Sequence, residues 1–188
     1  MSQQDIISAT TAWLVDVVIG INLCPFARKP YKAGQIRYAV SAARDDEALM
    51  ADLLRECQLL DEQPAAELET TLLIIPEHLQ DFLDFNQFLN LADWLMERQG
   101  YSGVYQLATF HPQYQFAGTE PDDSENLTNR APYPILHILR EDSMSKALDG
   151  FPHPERIPEA NIDRVSQLND VECRQLFPYL FEQTPSKD

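Results

Sequence analysis

Residues 70–76 read Thr-Thr-Leu-Leu-Ile-Ile-Pro (TTLLIIP), an unbroken apolar run rich in β-branched side chains and stopped by a proline. A strand with one wet face alternates apolar and polar residues; a strand buried on both faces does not. The run therefore predicts a strand buried on both faces. Working outward, residues 45–60 carry Leu49, Leu53, Leu54, Cys57 and Leu60 at helical spacing behind Asp45, a good N-cap. Ile36 to Ala42 alternates as a strand. On the other side, residues 79–99 place Leu79, Phe82, Leu83, Phe85, Phe88, Leu89, Ala92, Leu95 and Met96 three and four apart, ending near Gly100 and Gly103. Val104 to Phe110 predicts a third strand and Ile135 to Arg140 a fourth, with a short helix from Glu141 or Asp142 to about Leu148.

The order is a helix over residues 5–20, then strand, helix, strand, helix, strand, a long loop and a last strand. Alternating elements favour parallel pairing. The fourth strand follows without an intervening helix and is expected to run antiparallel. The expectation is an α/β (or α+β) domain: a four-stranded mixed sheet with helices packed against it, with a ferredoxin-like sandwich as the alternative. Residues 1–188 are read as a single domain. From about residue 151 a proline-containing tail wraps the surface, with helical pieces near 162–168 and 172–181 and a fraying end.

The 188 residues hold 14 Lys and Arg against 30 Asp and Glu, a net charge of −16. Phosphate contacts need clustered cations, so this balance argues against nucleic acid and against an anionic membrane as partners. Three cysteines without tight spacing suggest neither a disulfide framework nor a zinc knuckle; reduced thiols in the cytoplasm are the simpler reading. The apolar segment Trp13 to Leu23 is interrupted by Asp16 and is too short to span a bilayer.

No GxGxxG, Walker A, HExxH, GxSxG or CxxC pattern is present. The least periodic stretch is 111–141, HPQYQFAGTEPDDSENLTNRAPYPILHILRE. A loop of that length in a compact domain is uncommon and often functional, and in open α/β sheets ligands bind beyond strand carboxyl ends. It offers His111, Asp122, Asn126, Asn129, Arg130, His137, Arg140 and Glu141. His111 and His137 are candidate bases, and with Asp122 a candidate ligand set for a divalent metal. Asn126, Asn129, Arg130, Arg140 and Glu141 are candidate ligand-binding groups. Each has an ordinary alternative: His111 as a loop hydrogen-bonder, His137 as a satisfied core histidine, the asparagines as turn residues, Arg130 as a tie to a carboxylate. Cys24 precedes Pro25-Phe26 with Arg28 and Lys29 nearby. Adjacent cations lower a thiol pKa, and with either histidine it would make a nucleophile–base pair; the alternative is a small buried hydrophobe.

Trp13 to Ala27 (WLVDVVIGINLCPFA), Glu69 to Pro76 (ETTLLIIP), His111-Pro112 with Tyr114 and Phe116, and Asn129 to Glu141 (NRAPYPILHILRE) together resemble a bacterial family known as domain of unknown function 1415. The resemblance spans about residues 10–170. It implies a bacterial, intracellular, single-domain protein and supplies no activity. The family's blocks coincide with Cys24, His111, Asn129, Arg130, His137, Arg140 and Glu141; where this chain has Ala131 the family usually has serine.

Two functions follow as expectations. One is a small-molecule enzyme whose pocket joins Cys24, His111 and His137 to the asparagines and arginines of the loop, with a divalent metal as candidate cofactor. The other is a noncatalytic module that binds a ligand or peptide, with Tyr114, Phe116 and Tyr133 as aromatic contacts.

Overall fold

The computed structural model describes residues 1–181; the expected fraying of the last residues falls on 182–188, outside them. The chain opens with α1 (Gln3–Trp13), capped by Ser2 and Asp5 in a reciprocal box. It continues as a π-helix over Leu14–Ile19. The hydrophobic stripe does not distinguish this wider winding from an ordinary helix, so the sequence reading merged the two. At Gly20 an added Cβ would clash with the carbonyl oxygen of Asp16, so no other residue fits there without a backbone shift. A short helix α2 (Arg28–Lys32) follows the turn at Cys24 and Pro25.

Strand β1 (Ile36–Val40) leads to helix α3 (Asp46–Glu62), whose cap Asp45 accepts from the Ala48 N–H at 2.8 Å. Strand β2 (Thr70–Ile74) is buried at all five positions. Helix α4 (Phe82–Arg98) starts later than its apolar spacing suggests. Leu79 is left-handed, with φ 55°, and Asp81 is the cap. Strand β3 (Tyr105–Phe110), a 3₁₀ turn (Ser124–Asn129) and strand β4 (Ile135–Arg140) follow, then α5 (Glu141–Asp149), α6 (Ile157–Ser166) and α7 (Asp170–Leu176).

The sheet order is β1-β2-β4-β3, with β1 parallel to β2 and β4 antiparallel to both neighbours. This is a mixed four-stranded sheet in an α/β packing. It is not the ferredoxin-like alternative: that topology splits its β-α-β units, whereas β1 and β2 are immediate neighbours. One apolar core lies between the sheet and α3 and α4, gathering Leu49, Leu53, Leu73, Phe85, Leu136 and Ile138. The other lies on the opposite face, where Trp13, Val17, Leu72, Ile74, Ile135 and Phe177 meet. Burial on both faces is what the unbroken run at 70–76 requires. Among the described residues no helix is long and apolar enough to cross a membrane.

Arg140, the last residue of β4, ties the sheet to α3. Its Nη2 donates to the carbonyls of Leu60, Gln63 and Leu68 at 2.6, 2.8 and 3.1 Å, and its Nε to Leu68 at 3.3 Å. Leu60 belongs to the last turn of α3, where the helix leaves carbonyls unpaired and its dipole favours a cation. Arg140→Met should lower the free energy of unfolding by about 3 kcal/mol in urea titration, because it strands buried acceptors; Arg140→Lys should recover only part, since one ammonium lacks the guanidinium fork.

Candidate functional site

The polar residues of the 111–141 segment turn inward. His111 is fully buried. Its Nε2–H donates to the carbonyl of Leu79 at 3.0 Å, and its Nδ1 accepts from the Gln113 N–H at 3.0 Å. Its ring packs between Phe82 and Phe85, with centroids 5.4 and 5.2 Å away. Burial lowers its pKa. Both nitrogens are occupied, so this histidine has no lone pair to offer a substrate. It fixes the strained Leu79 turn instead.

His137 is held differently. Thr70 donates its hydroxyl to the Ile138 carbonyl at 2.6 Å, so its oxygen accepts from His137 Nε2–H at 2.8 Å. Desolvation pushes the His137 pKa down to about 4. Side chains alternate along β4: Leu136 and Ile138 point to the α3–α4 core, Ile135 to the α1 core. His137 shares the face of Ile135 and lies near Phe110, at 6.4 Å between centroids. His111 packs on α4 across the sheet. The two histidines therefore do not share a pocket, and the proposed metal set His111, His137 and Asp122 is corrected. Asp122 is exposed, and no group of three or more His, Cys, Asp or Glu among the described residues is placed to hold a metal.

Asn126, fully buried, closes the loop on itself. Its Oδ1 accepts from the Phe116 N–H and the Thr119 hydroxyl, both at 2.9 Å, and its Nδ2 donates to the Glu120 carbonyl at 2.8 Å. Asn129 donates to the Thr109 carbonyl at 3.0 Å, while its own carbonyl accepts the His111 N–H at 3.2 Å. Arg130 reaches the carbonyls of Tyr114 and Pro121 at 3.3 and 2.5 Å. The carbonyl of Arg130 receives Trp13 Nε1–H at 2.9 Å and the Tyr179 hydroxyl at 3.1 Å. Glu141 opens α5, its N–H on the Val104 carbonyl at 2.9 Å. Asn126, Asn129, Arg130 and Arg140, expected to bind a ligand, turn their donors and acceptors mainly to the main chain.

Cys24 is half-buried at the edge of the α1-side core. Burial raises its thiol pKa, opposed by the backbone N–H groups of Phe26 and Ala27. Among the described residues no hydrogen bond joins Cys24 to His111 or His137, the histidines expected to pair with it.

Beside Cys24 lies a hollow of about 340 Å³ between the turn at Asn22 to Pro25 and the face of α6. That volume is in the range of small-ligand sites. Asn161 donates to the Leu23 carbonyl at 2.7 Å, and Arg164 Nη1 to the Asn22 carbonyl at 3.0 Å, fastening α6 to the turn. Phe26 and Phe151 meet edge to face at 5.3 Å. Among the described residues, two of the three non-glycine positions with positive φ, Asn22 at 57° and His153 at 55°, stand at its rim. Such strain is held where the surroundings over-determine the backbone, often at binding sites.

Pro25, Phe151, Pro152, Ile157 and Ala160 give the hollow apolar walls; Arg156, Glu159, Asp163 and Arg164 give it charge, Arg164 with its Nη1 already donating to the Asn22 carbonyl. Every other described arginine has a side-chain partner: a carboxylate for Arg37, Arg44 and Arg55, carbonyls for Arg28, Arg130, Arg140 and Arg164, an aromatic ring for Arg98 and Arg174. Arg156 has none among the described residues, although it faces a cavity. The sequence reading missed this site because it took the tail for a surface wrap. A signal was present: residues 156, 159, 160, 163 and 164 fall on one helical face and four are charged.

A family model described as protein of unknown function (DUF1415) matches residues 5–175, from α1 to the last turns of α7. No curated protein and no solved structure matches the chain.

His137 also predicts an acid sensitivity. Its pKa falls from 6.5 to about 4 on folding, so between those values the unfolded chain binds more protons. Its stabilising effect is intact above the unfolded value and is lost as pH drops toward 4. Between pH 7 and ~4.5 the wild type should lose on the order of 2 kcal/mol more stability than His137→Gln, discounting the full shift for the ring's partial exposure. Urea midpoints of both proteins at the two pH values measure this.

Proposed function

The chain belongs to the family of proteins of unknown function DUF1415, and from that premise we propose that it is a noncatalytic binding module for a small charged organic ligand, seated in the hollow between the Asn22–Pro25 turn and α6. The observation that carries this reading is Arg156: a guanidinium without a partner at the mouth of an apolar-walled cavity. In so acidic a chain nine other described arginines are engaged internally. An arginine left unpaired in a pre-formed hollow is suited to clamp an oxyanion.

The enzymatic reading built on Cys24, His111 and His137 lacks comparable support. The first is a half-buried thiol whose pKa burial raises, the second has both ring nitrogens on the backbone, and the third faces the opposite side of the sheet from the second. Three unpaired thiols support a reducing compartment, the cytoplasm, as the place of action. The net charge of −16 supports a small molecule rather than a nucleic acid as partner.

Saturation-transfer NMR with the full chain and a panel of benzoate, phenyl phosphate, benzylamine and phenylalanine tests the reading. At least one should bind the wild type, lose most of its signal with Ala160→Trp, which fills the hollow, and weaken about tenfold with Arg156→Gln on the exposed rim. Binding of no panel member, or binding that survives both substitutions in folded protein, would overturn it.

A further inference from the structure

Resting on that reading of the hollow, we infer that its occupant is a zwitterion: a free α-amino acid with an apolar side chain. The argument is in the charges that face the cavity. Arg156 caps the start of α6, Glu159 stands three residues on, and Asp163 lies one turn further along the same face. Three residues of helix rise ~4.5 Å, so Arg156 and Glu159 project from neighbouring turns, a spacing suited to the adjacent carboxylate and ammonium of one α-carbon. These two residues are oppositely charged neighbours, yet they form no ion pair, and neither Glu159 nor Asp163 has a side-chain partner among the described residues. Elsewhere on the surface such neighbours do pair, as Lys146 with Asp142 and Arg55 with Asp52.

A site for simple anions would not keep two unpaired carboxylates beside its two arginines, of which Arg164 is already engaged by the Asn22 carbonyl and Asn161, because each carboxylate repels the ligand. A site for amines would likewise not keep an unpaired guanidinium. Both signs, open to one hollow, favour a ligand that carries both. The carboxylate would sit in the fork of Arg156 and the ammonium against Glu159, with Asp163 adding to the negative end. The side chain would lie against Pro25, Phe151, Ile157 and Ala160, where the walls are apolar.

The test is calorimetric titration of the full chain with three compounds of one skeleton: phenylalanine, 3-phenylpropionate, which lacks the ammonium, and phenethylamine, which lacks the carboxylate. Phenylalanine should bind tightest, and each single-charge analogue at least about tenfold more weakly, the equivalent of one charge-assisted contact. In Glu159→Gln the preference of phenylalanine over phenylpropionate should collapse toward unity without weakening phenylpropionate; the pair Glu159→Gln with Asp163→Asn should reverse it. In Arg156→Gln the preference over phenethylamine should collapse. All three substituted residues are on the exposed helix face, so the fold should stay intact, which circular dichroism checks. If phenylpropionate binds the wild type as tightly as phenylalanine, through a contact that Ala160→Trp abolishes, the zwitterion is wrong while the hollow stands. If none of the three binds, the hollow reading fails and this inference with it.

Discussion

A buried peptide carbonyl without a donor costs about as much as a lost hydrogen bond, and the stretch from His111 to Arg140 is organised around that constraint. The peptide at Arg130 is its centre. The guanidinium takes the carbonyls of Tyr114 and Pro121, while the residue's own carbonyl takes the indole of Trp13 and the hydroxyl of Tyr179. One residue thus joins the irregular loop, the first helix and the C-terminal segment. Asn126, Asn129, His111 and Arg140 repeat the pattern, each answering main-chain groups that no strand or helix reaches. The reason lies in the length of the connection. The end of β3 and the start of β4 are paired neighbours, with Phe110 opposite Ile135, yet the chain between them runs from His111 to Pro134. A loop that long, packed back against the domain, carries polar backbone outside the sheet ladder that side chains must satisfy.

Once those side chains are committed, chemistry has to be sought elsewhere. The hollow beside α6 has its own ties: Asn161 and Arg164 hold α6 to the turn after the π-helix. The rim residues Asn22 and His153 keep left-handed backbones that cost roughly 1 kcal/mol each, and the surrounding bonds hold them there. These bonds fix the backbone that carries Arg156, whose exposed side chain has no partner among the described residues.

Much of the fold was legible. The two-faced burial of β2 followed from an unbroken β-branched run, and Asp45 marked a helix start by its ability to accept from a free N–H. The antiparallel entry of β4 followed from the missing helix before it. The site was not legible, for a definite reason. Which face a strand residue takes is a matter of parity, and parity across strands depends on register. Phe110 pairs with Ile135 and Ala108 with His137; that register places His111 and His137 on opposite faces, and no local pattern encodes it. The late start of α4 was hidden similarly, since Leu79 fits the apolar spacing but adopts a left-handed turn fixed by a histidine 32 residues away. Periodicity reports local geometry; the partners of Arg130 and the lack of one at Arg156 are properties of the assembled chain.

Among the described residues nine arginines are held by carboxylates, carbonyls or aromatic rings and Arg156 is left open, a division that can be measured without knowing the ligand. Limited modification of the native protein with phenylglyoxal, followed by peptide mass spectrometry, gives the relative reaction rate of each guanidinium. Arg156 should react among the fastest, and Arg130 and Arg140, held by carbonyl oxygens, should be strongly protected until the protein is unfolded. Reaction of Arg130 or Arg140 as fast as Arg156 in the native protein would contradict the account.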